Sequence, residues 1–502
     1  MSLSAALHAT VATLRRRPGD LLPFYMLGAA VPAIARVGTF LAFGVSFAYL
    51  EVTGRLDAVR AALDGRDLNP PDPQQTEAFA EWVAEVTPLV EPLFQPVVLL
   101  ALVLGLVLTL LSAVALAAAS SAGQTAACDA RLRGERGLTA GIAGLRDHWR
   151  SFLGAYIVEG FVWVVATGVA MLAVSGAAAL SNVAMFVVAP VALLVWLVVV
   201  AATRAIFAFV PVTIVVDEVG LAPAIRASAG FVRREPVAAV GYYAIALGTL
   251  LAFSTLVGVL TVVEVQALAA PLAYLAVAPV LDLLKTGLYD AHRGVLSPPS
   301  GAVPGLRRQL TSGGRRGVRA VVGFVRESPG LHALALALGL AGAAMGWAVS
   351  EPLVGVLDAS IAERLADHVP PLAAANFFAN NWTVAISTAL SGVALAVPAG
   401  LSVWFNGVVL GVVARLEVTP IELAAFVLPH GIFEIPSILV AGALGLHLGV
   451  VTWRAWRGRM GREALADALE RAFWVLVGLG VVLAIAGLIE GFISPYYWRV
   501  FI

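Results

Sequence analysis

Pro429-His430-Gly431-Ile432-Phe433-Glu434-Ile435-Pro436 stands between two apolar runs, Ile421 to Leu428 and Ser437 to Val451. Two helix-breaking prolines, a glycine and two ionisable side chains lie where their flanks call for hydrocarbon. A charge at the centre of a membrane helix costs about 2.5 to 3.5 kcal/mol on insertion scales, and irregular backbone there needs protein or trapped water to satisfy it. A simple anchor needs neither feature, so this stretch is the first candidate for function.

The flanks decide the fold class. The 502-residue chain is 60% hydrophobic and 13% charged, with mean hydropathy +0.91, which is far too apolar for a soluble protein. Apolar runs of about 20 residues recur, long enough for helices crossing roughly 30 Å of hydrocarbon, and the period-two alternation of a β-barrel is missing. The chain therefore reads as an all-α, polytopic integral membrane protein of the cell membrane with about 10 spans. Its formal net charge of +0 provides no global field to recruit nucleic acid. The single cysteine, Cys128, excludes an internal disulfide and a thiolate metal cluster, and reads as a small packing residue.

Outward from the opening stretch, charge placement sets the expected topology. Arg15-Arg16-Arg17 before the first span, Leu21 to Leu50, and the acidic, proline-containing segment Glu51 to Glu91 after it put the N-terminus in the cytoplasm, with an uncleaved first helix. Five further spans follow, with tight turns at Ser181-Asn182 and near Glu264. The region His292 to Arg326, with Pro298-Pro299, Gly313-Gly314 and many arginines, reads as a linker. The expected organisation is a six-span membrane domain over 1–299, a basic cytoplasmic linker over 300–316 and a second membrane domain over 317–502.

In that second domain Thr383 to Leu416 is too long for one straight span, at roughly 50 Å as a helix, and Pro398-Ala399-Gly400 is expected to bend or divide it. A single crossing by Thr419 to Thr452 would leave the basic loop Arg454, Arg457, Arg459 and Arg462 outside. A broken or re-entrant helix pair at 419–452, turning at His430 to Glu434, removes that conflict. The last span, Phe473 to Phe492, then runs outward to Ser494-Pro495-Tyr496-Tyr497-Trp498, so the C-terminus is expected to be extracytoplasmic.

An internal echo runs through the chain. Gly230-Phe231-Val232-Arg233-Arg234-Glu235-Pro236 resembles Gly323-Phe324-Val325-Arg326-Glu327-Ser328-Pro329, with looser versions at Leu14 to Asp20 and Leu145 to Ser151. In each, a short basic helix is expected to break just before a span opens. Either positive-inside topology alone places these arginines, or a lipid-touching element is duplicated.

Asn380-Asn381, Asn406-Gly407, Pro429-His430-Gly431 with Glu434, Ile435 and Pro436, then Ala441-Gly442, and finally Glu490-Gly491-Phe492 with Ser494-Pro495 resemble, in this order, the stage II sporulation protein M (SpoIIM) family. The resemblance covers roughly 317–502. It implies a polytopic membrane module. The family's named sporulating member helps assemble a peptidoglycan-degrading complex during engulfment, while most relatives occur in organisms that never sporulate and have no settled activity. The large first half departs from the short five-span form of that member, and 1–299 more loosely resembles uncharacterised six-span membrane domains.

The residues themselves support several chemistries. His430 and Glu434, four apart, share one face of a helix, and Glu490 from the last span brings a second carboxylate. With Asn406 they are the expected buried polar cluster. Three uses fit: a divalent metal held by His430, Glu434 and Glu490, a proton or substrate relay, or a hydrogen-bonded structural knot. A His-Glu-x-x-His pattern is missing, and His447 lies about four turns beyond Glu434, so no cofactor is expected from spacing alone. Asn406 reads as polar glue between helices, and Asn380 and Asn381 as outer-surface caps or ligand contacts. In the first half Arg36, Glu159, Arg204, Glu264 and the Asp282/Lys285 pair either neutralise one another and snorkel or line a polar path. No nucleotide loop or Ser-His-Asp set occurs. The expected function is a non-enzymatic scaffold that works in the lipid bilayer and recruits membrane or envelope proteins. A small-solute, lipid or ion transporter is the alternative, and an intramembrane metalloenzyme the second.

Overall fold

The computed structural model describes residues 3–63, 71, 76–298, 303, 305–357, 360 and 369–497. Among them there is no β-strand, and ten helical segments are long and apolar enough to cross a membrane. The protein is an all-α, multi-pass membrane protein. Its outward faces explain why: Phe186 is 81% exposed and Leu172 74% exposed, in helices where water would make such surface prohibitive and lipid makes it neutral.

In chain order the helices are α1 (Leu3–Arg16), α2 (Leu22–Ala35), α3 (Val37–Val52), α4 (Arg55–Leu63), α5 (Thr76–Val90), α6 (Pro96–Leu132), α7 (Gly137–Leu180), α8 (Asn182–Phe207), α9 (Val210–Val216), α10 (Leu221–Arg234) and α11 (Pro236–Val262). After a 3-10 turn at Gln266–Leu268, a short α-helix at Ala269–Leu272 and a π-helical turn at Ala273–Val277 come α12 (Ala278–Arg293), α13 (Leu306–Glu327), α14 (Pro329–Val349), α15 (Pro370–Ser391), α16 (Val397–Leu416), α17 (Pro420–Trp456) and α18 (Arg462–Phe492). By packing, the chain forms two units, Met1–Gly28 with Val114–Leu256 and Ala273–Gly305, and Ala29–Ala113 with Val257–Leu272 and Leu306–Ile502. The expected linker 300–316 lies partly outside the described residues, at 300–302 and 304, as does Trp498 of the terminal aromatic run.

In the first unit Asp20 carries a structural task that its sequence position hides. Its carboxylate accepts from the N–H groups of Gly137 (3.1 Å) and Leu138 (3.0 Å) and pairs with Arg131 at 3.4 Å. It thereby caps the start of α7, where unpaired N–H groups and the helix dipole favour an anion. Ser181 ends α7 and caps α8, its Oγ accepting from Ala184 N at 3.1 Å, which makes the expected tight turn. In a buried core Phe209 meets Phe231 at a tilt and Tyr242 edge-on, with ring centroids 4.7 and 5.2 Å away. Four of the charges expected within the membrane form two pairs: Glu159 with Arg204 at 3.0 Å, and Asp282 with Lys285 at 2.7 Å. Arg36, exposed between α2 and α3, and Glu264, exposed at the turn after α11, belong to the second unit.

In the second unit α14 and α16 meet backbone to backbone. A Cβ at Gly342 would overlap the Trp404 carbonyl, and one at Gly407 would overlap the Gly339 carbonyl. Gly342/Gly346 and Gly407/Gly411 are two Gly-x-x-x-Gly pairs facing each other, the small-residue arrangement that lets membrane helices approach closely. Helix α15 runs antiparallel along α18, with Pro370 beside Gly491, Phe378 beside Gly487 and Trp382 beside Gly480. Trp382 Nε1 donates to the Leu476 carbonyl at 2.9 Å.

Three expectations fail here. The re-entrant pair at 419–452 is one continuous helix: α17 has 37 residues with Pro429 and Pro436 inside it, about 55 Å long. Each proline removes one N–H donor, to the Ala425 and Ile432 carbonyls, and packing against α15 and α18 holds the helix through both losses. Where the sequence suggested a loop and part of an overlong span lies α15, a 22-residue helix about 33 Å long. The long segment does divide, but at Gly392 to Ala396, with Leu395 and Ala396 at φ +61° and +67°, and Pro398 opens the next helix. The echoed basic helices break before α2, α11 and α14 as expected, while residues Leu145 to Ser151 continue unbroken within α7.

Candidate functional site

Helix α17 places His430 and Glu434 one turn apart on one face, ten and fourteen residues past its start. Helix α18 runs back beside it and delivers Glu490 near its own end, and the chain then turns at Ser494 to close over the imidazole. One ligand atom from each of His430, Glu434 and Glu490 lies within 4.8 Å of the others. His430 is 5% exposed, Glu490 8% and Ser494 0%. The three ionisable groups are thus brought together, His430 and Glu490 buried and Glu434 half-buried.

The hydrogen bonds fix the ring. His430 Nδ1 lies 2.9 Å from Ser494 Oγ, and Nε2 lies 3.9 Å from Glu490 Oε1. The Phe426 ring meets the imidazole edge-on at 5.2 Å, and the Phe426 backbone also contacts it. On the other side the Asn381 side chain, from α15, reaches the Glu434 carboxylate. One carboxylate oxygen each of Glu434 and Glu490, both Oε2, is buried with no hydrogen-bond partner among the described residues. Four segments converge on the cluster: α15, α17, α18 and the turn at Ser494.

Asn406 does not join it. Its side chain is exposed and donates to the Ser402 carbonyl of its own helix at 2.7 Å, and its neighbour Gly407 makes the close helix contact. A short polar side chain in a lipid-facing turn satisfies itself against its own backbone more readily than it reaches a partner helix. Asn380 and Asn381 are not caps, since they sit inside α15 and hydrogen-bond to each other at 3.2 Å. Asn380 is exposed, whereas Asn381 faces Glu434. His447 meets Phe324 edge-on at 5.8 Å and stays out of the cluster.

Sequence reasoning missed the roles of Ser494 and Asn381. A signal for Asn381 was present: Pro370-Pro371 and Gly392 bracket 22 residues that read as a helix, which makes a mid-run asparagine an interior residue. The chain's similarities bear on the same region. Residues 335–495 match the family model of Stage II sporulation protein M, a range that includes Asn381, His430, Glu434, Glu490 and Ser494. No curated protein and no solved structure matches the chain.

Proposed function

We propose that the Stage II sporulation protein M region, residues 335–495, is a non-enzymatic membrane scaffold that stabilises or recruits membrane and envelope proteins. One observation carries the reading: the buried polar cluster is a joint. Two of its polar contacts tie one helical segment to another, His430 of α17 to Ser494 beyond α18 and Asn381 of α15 to Glu434 of α17. A fixed helical frame suits a docking platform. Glu434→Gln and His430→Ala are expected to lower the thermal midpoint by several degrees and to cut recovery of cross-linked partners from native membranes at least threefold. Solute flux in proteoliposomes is expected not to change. A variant that keeps its wild-type midpoint but loses a flux would replace this reading with transport.

The same reading places the N-terminus in the cytoplasm and the C-terminus outside. With α15 counted as a crossing, the basic loop after α17 returns to the cytoplasmic side. The Arg415–Glu351 ion pair is consistent, since the end of α16 and Glu351, two residues past α14, then share the outer face. Cys128 is buried, so the natural thiol gives little background. In intact cells an impermeant maleimide is expected to label Glu81→Cys but not Arg233→Cys, which reacts only after lysis. The opposite pattern would invert the topology.

A further inference from the structure

We propose that His430, Glu434 and Glu490 bind one divalent transition-metal ion of the zinc class. The argument starts from what the atoms offer one another. Nδ1 of His430 is engaged by Ser494 Oγ at 2.9 Å, and with the proton on Nδ1 the Nε2 lone pair points at Glu490 Oε1, 3.9 Å away. Both carboxylates add further acceptor oxygens, and Oε2 of each is buried without a partner among the described residues. A nitrogen lone pair and two carboxylates that converge within 4.8 Å repel one another unless a proton or a metal cation sits among them, and a divalent ion is the one partner that engages all three at once.

The donor set suits zinc. One imidazole nitrogen and two carboxylate oxygens supply three protein ligands, which leaves a fourth position for water. Tetrahedral zinc ligands lie about 3.3 Å apart, so the 3.9 Å between Nε2 and Oε1 needs only a small side-chain adjustment. Ser494 takes the part that outer partners take at metal-bound histidines: it holds the ring's orientation through the other nitrogen. Two carboxylates and a divalent cation sum to zero, which removes the cost of holding like charges in an apolar interior. Phe426 walls the ring on one side.

This inference rests on the reading of the cluster as a joint and gives the joint its fastener. The test uses the full chain, purified in detergent without chelators, with metal content measured by mass spectrometry. About one equivalent of a divalent transition metal is expected, lost at least tenfold in His430→Gln and Glu490→Gln and kept in His447→Gln. Ser494→Ala is expected to weaken zinc affinity about 10- to 100-fold. Cobalt(II) added to stripped protein should give the visible bands of a tetrahedral nitrogen and oxygen site, absent from the Glu490→Gln variant. Less than a tenth of an equivalent in wild-type protein that also ignores added zinc overturns the proposal, as does full metal in both ligand variants. If those variants fail to fold, wild-type stoichiometry and Ser494→Ala decide it. Metal-free protein whose Glu490→Gln variant still loses stability keeps the joint and removes the ion. Metal-loaded protein whose variant keeps its stability does the reverse.

Discussion

Gly342→Leu is expected to lose at least about 3 kcal/mol of stability or to fail to fold, because overpacking at a site that cannot yield exceeds the usual 1 to 3 kcal/mol. The first atom that a Cβ at Gly342 meets is the Trp404 carbonyl oxygen, which is backbone and has no rotamer to change. Helix α16 must then move outward, which separates Gly346 from Val408 and Gly407 from Gly339 together. Gly407→Leu is expected to do the same from the other side. Gly330→Leu, near the start of α14 with open space around its Cβ position, is the control and should stay within about 0.5 kcal/mol of wild type. Thermal midpoints in detergent, followed by gel filtration, read all three. Equal midpoints for Gly342→Leu and Gly330→Leu would mean that α14 and α16 do not pack through these glycines.

This contact shows what the sequence could and could not reveal. The all-α membrane class was legible because it depends on composition and run length, which bilayer thickness sets without reference to tertiary structure. The Gly-x-x-x-Gly spacing at 342/346 and 407/411 was also present in the sequence, but spacing names a face and not its partner. The prolines of α17 misled for a related reason. Local preference disfavours helix before Pro429, yet neighbouring helices outweigh a preference of that size. Asn380 and Asn381 misled because polar residues beside an acidic segment resemble a helix start, and only the pairing of α15 with α18 turns one of them inward. His430, Glu434 and Glu490 were legible as a set because an i, i+4 pair constrains two of them and their cost in lipid marks all three. Ser494 had no such mark: a serine is cheap anywhere, and its role appears only when the end of α18 lies against α17.

Lys285→Met should be the more damaging half of a two-step substitution. Lys285 and Asp282 lie 2.7 Å apart with side chains 15% and 19% exposed, and Tyr25 donates to the other carboxylate oxygen at 3.0 Å. Removal of the lysine leaves a buried carboxylate with one phenol, and breaking such a pair costs about 3 to 5 kcal/mol. Asp282→Leu combined with Lys285→Met removes both charges and leaves apolar bulk, which is often neutral against the wild-type pair. Its residual cost, about 1 kcal/mol, comes from the Tyr25 hydroxyl, which retains Cys128 at 3.2 Å as its partner. The double variant is therefore expected to recover most of what the single variant loses, with a coupling of about 2 kcal/mol or more between the sites. Denaturant titration of the four proteins in one detergent measures it. Additive losses would mean that each charge finds its own partner or reaches the headgroups. A pair that couples strongly and can still be replaced by leucine and methionine is a structural neutralisation in the first unit, which removes the motive for a polar path there.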